Sequence, residues 1–221
     1  LIASGSADEP DVGVDESDLG IIPYTSGTEA LPKAVAIPQR NYFVSMIPSY
    51  VTGIGLLEDD VWYYTLPLHT IAGMGMQICL LSLGNTIVLP FAVDAAQALH
   101  ALTEERVTVV GQTPTFYLQL INTPGFEERD LTRLRRAITY GGTMPRAMFE
   151  AFAKACPGLQ WVTLWSQSEL TQTPTIGKFT SLADIPNQDP AWIGRPTAQL
   201  ELRVVDADGN DAAEGEIICR S

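Results

Sequence analysis

The sequence has 221 residues, of which 46% are hydrophobic and 18% charged, and this composition excludes a disordered chain because it supplies enough apolar side chains for a core. Its 13 Lys and Arg against 26 Asp and Glu give a net charge of -13, which argues against nucleic acid as the main partner. Two histidines exclude a histidine-rich metal centre. Three widely spaced cysteines are an odd count that argues against a disulfide framework, and they favour a cytoplasmic protein.

Strand and helix patterns alternate along the chain. Residues 1–19 hold six acids and no base, which predicts an acidic linker or leader. Runs of apolar and β-branched residues predict strands at 20–24, 34–37, 61–65, 86–89, 107–110, 137–140 and 159–164. Helices are predicted at residues 41–51, with a bend or end at Pro48, and after the start signals Asp94, Thr113–Pro114 and Pro145.

One stretch, residues 70–93, carries no charged side chain and is long enough to cross a bilayer. Several glycines and Pro90 interrupt it, and Gly84 followed by Asn85 is typical of a helix end. A helix followed by a short buried strand therefore fits this stretch better than a transmembrane segment.

The alternation predicts an α/β fold, a mainly parallel sheet layered with helices, with its ligand near the carboxyl ends of the strands. The end of the chain differs, because residues 200–205 and 216–219 flank a turn and predict a small antiparallel β portion. We therefore expect the acidic segment to be followed by an α/β core over residues 20–197 and by the start of a β subdomain over residues 198–221.

Two glycine-containing segments are candidates for binding phosphates. Residues 24–33 combine hydroxyl groups, Gly27 and Lys33, which can surround and neutralise phosphate oxygens, although the ending of a Walker A loop is missing. Residues 139–145 lead from a strand into a helix through Gly141–Gly142, where the backbone can approach a ligand closely. Taken alone, each segment also fits an ordinary surface turn.

Two further segments carry chemical groups. In the segment from Trp165 to Glu169, the aromatic ring can stack on a base, Ser168 can bind a phosphate and Glu169 can hold magnesium. In isolation this segment also fits a surface loop. Residues 65–73 contain His69, which either positions a carboxylate or packs in the core.

In this order, the four segments resemble the acyl-adenylate-forming superfamily of acyl-CoA synthetases, nonribosomal adenylation domains and luciferases. The family's phosphate loop, Y-T-S-G-T-T-G-x-P-K-G, is similar to residues 24–33, and its glycine pair is similar to Gly141–Gly142. Its Y-G-x-T-E motif is similar to residues 165–169. The resemblance covers residues 20–221 and identifies the α/β core as nucleotide- and acyl-binding.

The resemblance implies the two steps of an AMP-forming acid–thiol ligase. A carboxylate attacks the α-phosphate of ATP to give acyl-AMP and pyrophosphate, and coenzyme A then takes the acyl group. Thr28, Lys33 and Glu169 are implied to be catalytic, with Glu169 as the Mg²⁺ ligand. The implied nucleotide-binding residues are Thr25, Ser26, Gly27, Thr28, Lys33, Gly141, Gly142, Thr143, Trp165, Ser166, Gln167 and Ser168.

The acyl pocket is predicted between the 67–75 stretch and the Gly141–Gly142 turn, with His69, Gly73 and Gly75 as candidate residues. The uncharged sequence around them favours a fatty or other apolar carboxylic acid. Counted from Pro67, however, Thr70 and not His69 stands where the family often has histidine. This argues against a catalytic role for His69.

Two other functions stay open. An amino-acid-activating adenylation domain usually places an aspartate in its acyl pocket, and the charge-free run at residues 70–93 offers none. A non-catalytic nucleotide-binding pseudoenzyme is the other alternative, because Glu29 and Ala30 replace a hydroxyl residue and a glycine of the family's phosphate loop. No residue can be assigned to the family's ribose-binding aspartate or to its mobile lid, so we expect a central part of a larger enzyme that is inactive alone. The oligomeric state stays open.

Overall fold

The computed structural model describes residues 5–6, 8, 11–25, 31–171 and 173–220. Its strands are β1 (Leu19–Ile21), β2 (Ile37–Pro38), β3 (Val61–Tyr63), β4 (Thr86–Val88), β5 (Val109–Gln112), β6 (Arg136–Thr139), β7 (Gln160–Trp165), β8 (Thr175–Phe179), β9 (Arg195–Pro196), β10 (Glu201–Val205) and β11 (Glu216–Arg220). Its α-helices are α1 (Ile47–Tyr50), α2 (Ile71–Leu83), α3 (Ala95–Glu104), α4 (Pro114–Ile121) and α5 (Arg146–Ala155). Short 3₁₀ helices cover Ser168–Leu170, Leu182–Asp184 and Pro186–Gln188.

Seven strands form the central sheet, in the order β4-β3-β5-β6-β7-β8-β9. The strands from β3 to β7 are parallel to their neighbours, whereas β8 and β9 pair antiparallel. Two antiparallel pairs, β1–β2 and β10–β11, form separate two-stranded sheets. The predicted α/β fold with a mainly parallel sheet and an antiparallel portion at the C-terminal end is confirmed. The sequence analysis missed β8 and β9, which extend the main sheet antiparallel.

Neighbouring residues of each central strand enter two different cores, because strand side chains alternate between faces. In the pairs Val109–Val110, Ala137–Ile138 and Trp161–Val162, one residue packs in each core. The core with Val110, Ala137 and Trp161 is covered by α3, α4 and α5, and the other core by α2 and the helical segment that includes α1. The sheet therefore carries helices on both faces, as the alternating sequence pattern predicts.

An aromatic cluster fixes the first of these cores. The Trp161 ring makes edge-to-face contacts with Tyr117, Phe149 and Phe152 at centroid distances of 5.1, 5.0 and 5.4 Å. The Tyr117 hydroxyl donates a hydrogen bond of 2.7 Å to the carbonyl of Ile138 in β6. Helix α4 is thus attached to the sheet by both ring packing and a buried hydrogen bond.

The first predicted helix is longer than expected and continues through Pro48. Two π-helical stretches, Tyr42–Met46 and Val51–Gly55, flank α1, and Pro48 lies in the first turn of α1. Of the two predicted alternatives, a bend or an end at Pro48, the end is therefore wrong, and the helical segment ends at Gly55.

The predicted start and stop signals around the charge-free stretch are confirmed. Gly84 ends α2 in the left-handed conformation, with φ of 73°, and β4 follows it. The Asp94 carboxylate accepts a hydrogen bond of 2.8 Å from the Gln97 N–H at the start of α3. In the part of the chain that the structure describes, no helix combines the length and the apolar character that a membrane crossing requires.

The buried carboxylate of Asp60 connects four segments at the amino end of the sheet. It is 1% exposed and accepts hydrogen bonds from the Leu57 N–H at 2.8 Å, the Thr108 hydroxyl at 2.6 Å and the Arg135 Nε at 2.7 Å. The Arg135 guanidinium also donates to the Gly55 carbonyl at 3.1 Å. The end of the helical segment, β3 and the turns before β5 and β6 are thereby held together.

We predict that Asp60→Ala destabilises the full-length protein by about 3 kcal/mol, because it leaves the Arg135 charge and the Thr108 hydroxyl without their partner. Asp59→Ala is the matched control, since Asp59 is exposed and should change the free energy of unfolding by less than about 0.5 kcal/mol. Urea denaturation measures both. Equal unfolding midpoints for the two variants would contradict the structural role of Asp60.

Candidate functional site

A cavity of about 270 Å³ lies at the carboxyl ends of the parallel strands. The sheet contributes Trp62 from β3, Gly111 from β5, Ile138 from β6 and Leu164 from β7. This edge is where parallel α/β sheets bind ligands, since the loops that leave the strands converge there. The cavity therefore lies where the strand pattern predicts the ligand.

Helices and loops complete the cavity. Its helical side is formed by Tyr50 of α1 and by Ile71, Ala72 and Met76 of α2. All of these are uncharged, and none of the described residues that line the cavity is charged. An uncharged wall favours an apolar group, because an ionised tail would lose its hydration without gaining a partner.

Polar loop residues also line this cavity. Gly141 follows β6, and Trp165, Ser166 and Gln167 form the end of β7 and the loop after it. Ser166 and Gln167 are exposed, whereas Trp165 is half-buried. Two of the segments singled out in the sequence, 139–145 and 165–169, are thus brought together at one site.

The backbone of the glycine turn is open to approach. Gly141 has φ of 75°, a conformation that suits glycine, and a Cβ placed there would meet only Thr113, at 3.9 Å. Gly142 and Thr143 are exposed next to it. Their backbone can therefore contact a ligand without displacing any other described part of the chain.

Ser168 and Glu169 belong to the short 3₁₀ helix that follows the lining residues, and the Glu169 carboxylate is exposed. Among the described residues, no group of three or more Asp, Glu, His or Cys side chains forms a ready-made metal site. Magnesium commonly uses one or two protein carboxylates together with substrate phosphates. A single exposed carboxylate beside the cavity fits that mode of binding.

The first polar segment is described only at its two ends. The Thr25 N–H donates to the Lys33 carbonyl at 3.0 Å, and the Lys33 N–H donates to the Thr25 hydroxyl at 3.0 Å. These bonds close the base of a loop between β1 and β2. The predicted phosphate-binding residues Ser26, Gly27 and Thr28 lie outside the described residues, as do Glu29 and Ala30.

The structure does not bring His69, Gly73 or Gly75 to the cavity wall. His69 is exposed in the turn before α2, so it neither packs in the core nor faces the cavity. A Cβ at Gly73 would collide with the Pro67 carbonyl, and one at Gly75 would collide with the Met46 side chain. Both glycines therefore allow close packing of α2, and neither lines the cavity.

The face of α2 that lines the cavity carries Ala72 and Met76. These two residues are four positions apart and therefore lie on the same side of the helix. The sequence analysis missed them because α2 is apolar around most of its circumference, so that no single face is distinguished. Their i, i+4 spacing is the only signal that the sequence offers for them.

The family model described as AMP-binding enzyme matches residues 2–221. The sequence is 30% identical over 227 residues to the indoleacetate–CoA ligase of Aromatoleum aromaticum, an alignment that covers 100% of this chain and 42% of that protein. It is 31% identical over 209 residues to a feruloyl-CoA synthase of Amycolatopsis sp., with coverage of 94% and 41%. The chain thus spans less than half the length of these curated relatives.

The fold is similar to that of a solved relative. The N-terminal domain of FACL13 from Mycobacterium tuberculosis, crystallised with an inhibitor, matches with a TM-score of 0.87 and 26% sequence identity. The match covers 100% of this chain and 54% of that chain. The arrangement of strands and helices around the cavity is therefore shared with this domain.

The close contacts of Gly73 and Gly75 in α2 predict how alanine at each position changes the stability of the protein. Gly73→Ala should destabilise the protein by about 1–3 kcal/mol, because the Pro67 carbonyl is backbone and must move with its turn. Gly75→Ala should cost less, because the flexible Met46 side chain can shift and alanine favours a helix by about 1 kcal/mol over glycine. Thermal unfolding of the full-length variants measures the difference. A larger loss for Gly75→Ala would contradict the assigned contacts.

Proposed function

We propose that this chain, which belongs to the AMP-binding enzyme family, is the nucleotide- and acid-binding core of an ATP-dependent acid–CoA ligase. The observation that carries the proposal is the uncharged cavity at the carboxyl edge of the sheet, which the Gly141 turn and residues 165–167 also line. Relatives whose names are indoleacetate–CoA ligase and feruloyl-CoA synthase support the same activity.

In this proposal the tail of the carboxylic acid occupies the cavity, against Trp62, Ile138 and Met76. Its carboxylate lies near the polar residues Ser166 and Gln167. The volume of about 270 Å³ lies just below the range of pockets for drug-sized ligands, roughly 300–1,000 Å³. We infer a compact apolar acid, aromatic or short-chain, in preference to a long fatty acid.

ATP would lie across the exposed glycine turn, with its adenine near Gly141, Gly142 and Trp165 and its phosphates toward Lys33, Ser168 and the loop at residues 25–28. The protein holds the carboxylate next to the α-phosphate, so that attack becomes an intramolecular event in a fixed geometry. The products of this step are acyl-AMP and pyrophosphate, and the thiol of coenzyme A then displaces AMP.

Magnesium fits the exposed carboxylate of Glu169, which we propose as its ligand. When bound, the ion would neutralise part of the phosphate charge. Lys33 adds a second positive charge at the base of the phosphate loop, and its side chain is exposed and free to turn toward a ligand. Thr28 is the proposed third member of this group.

An amino-acid-activating domain is less compatible with the cavity. Such an enzyme needs an acidic side chain to pair with the substrate amine, and no described lining residue supplies one. A pseudoenzyme stays the alternative of a different class, because Glu29 would repel a triphosphate in the predicted loop.

Pyrophosphate release from the full-length protein separates the three functions. We expect release with ATP, Mg²⁺ and compact apolar acids such as indole-3-acetate and phenylpropenoate, and little with long fatty acids. Release that depends on amino acids would indicate the adenylation domain. No release with any acid would indicate the pseudoenzyme and would overturn the proposal.

We predict that Ala72→Phe narrows the cavity and lowers kcat/KM for indole-3-acetate by about tenfold or more, since overpacking a site costs about 1–3 kcal/mol. The KM for ATP should stay within about twofold. Leu81→Phe is the matched control, because Leu81 is on the same helix, 62% exposed and outside the cavity. If both variants kept the acid preference of the natural protein, the cavity would not be the acid site.

A further inference from the structure

The hydroxyl of Tyr50 is a polar group in the cavity wall to which the proposed function assigns no role. Tyr50 lines the cavity and is 7% exposed. Within the described ranges, its hydroxyl makes no hydrogen bond to another residue. Burying a hydroxyl without a partner costs about 1–3 kcal/mol, so such a group points to a missing partner.

Two tyrosine hydroxyls near Tyr50 behave differently. Tyr64 donates a hydrogen bond to the Gly73 carbonyl, and Tyr140 donates one of 3.4 Å to the Gly111 carbonyl. Both groups are therefore satisfied by the backbone of the protein itself. Tyr50 differs from them because its hydroxyl is left for a group that enters the cavity.

The Tyr50 hydroxyl also keeps access to the void. Trp62 Nε1, which belongs to another lining residue, is unpartnered but fully covered by protein atoms. The Tyr50 hydroxyl is not among the covered unpartnered atoms of the described residues. The hydroxyl therefore keeps some accessible surface, and Tyr50 is one of the residues that line the cavity.

The hydroxyl is a donor at physiological pH. Burial raises the pKa of Tyr50 well above its ordinary value, and the nearby Cys79, Tyr140 and Tyr64 raise it further. The group therefore remains protonated and offers an O–H to an acceptor. An oxygen on a bound molecule is the natural acceptor, because the remaining wall around it is largely apolar.

We propose that Tyr50 is a specificity-determining residue that donates a hydrogen bond to an oxygen substituent on the tail of the acid. The preferred substrate class is then a compact apolar acid, such as an arylalkenoic acid, that carries a hydroxyl, methoxy or keto oxygen on its tail. This inference rests on the proposed function, because it assigns the occupant of the same cavity.

Matched acids test the inference without any variant. The full-length protein is assayed for pyrophosphate release with phenylpropenoate and with its 2-, 3- and 4-hydroxy and 2-, 3- and 4-methyl derivatives. A methyl group has nearly the size of a hydroxyl but accepts no hydrogen bond. We expect kcat/KM for at least one hydroxy acid to exceed that for its methyl analogue by about tenfold. Equal or higher values for all methyl analogues would overturn the inference.

A variant then assigns the preference to one side chain. Tyr50→Phe should lower kcat/KM for the preferred hydroxy acid by about tenfold and leave that for phenylpropenoate within about twofold. Tyr42→Phe is the matched control, because Tyr42 precedes Tyr50 on the same helical segment, is buried and does not line the cavity. Tyr42→Phe should leave the ratio of kcat/KM for the hydroxy acid to kcat/KM for phenylpropenoate unchanged.

The outcomes also separate this inference from the proposed function. If Tyr50→Phe lowered kcat/KM equally for the hydroxy acid and for phenylpropenoate, Tyr50 would be structural and only the inference would fail. If no acid released pyrophosphate with the natural protein, the proposed function and the inference would both fail.

Discussion

The parallel pairing of β3, β5, β6 and β7 is the constraint on which the site depends. Parallel strands all end at the same edge, so residues that are about one hundred positions apart in sequence, such as Trp62 and Leu164, face one cavity. The loops that leave these strands carry the polar groups, including Gly141 and Gln167. The sheet thus supplies an apolar wall, and the loops supply the groups that can bind a nucleotide.

Three features hold the elements around this edge in place. On one face, the aromatic cluster around Trp161 attaches α4 and α5 to the sheet. At the opposite end of the strands, the Asp60 carboxylate fixes the turns that lead into β3, β5 and β6. On the other face, α2 is seated closely through Gly73 and Gly75. The cavity is therefore a gap between well-packed elements, and their packing sets its shape.

The sequence predicted the layered sheet and the glycine turn at its edge, because strand alternation and turn chemistry are local properties. It did not reveal which residues of α2 face the cavity, since that helix is apolar on nearly every side. Gly73 and Gly75 were predicted as residues of the acyl pocket, whereas in the structure they permit close contacts with Pro67 and Met46. The Tyr50 hydroxyl was equally hidden, because only tertiary structure shows that it lines the cavity and bonds to none of the described residues.

The most direct test of the account is a crystal structure of the full-length protein with a sulfamoyl adenosine analogue of the acyl-AMP, made with the best acid from the pyrophosphate assay. The account predicts that the acyl tail fills the cavity between Trp62 and Met76 and that the adenine lies against Gly141 and Trp165. An acyl tail bound outside this cavity, or an adenine bound away from the glycine turn, would contradict it.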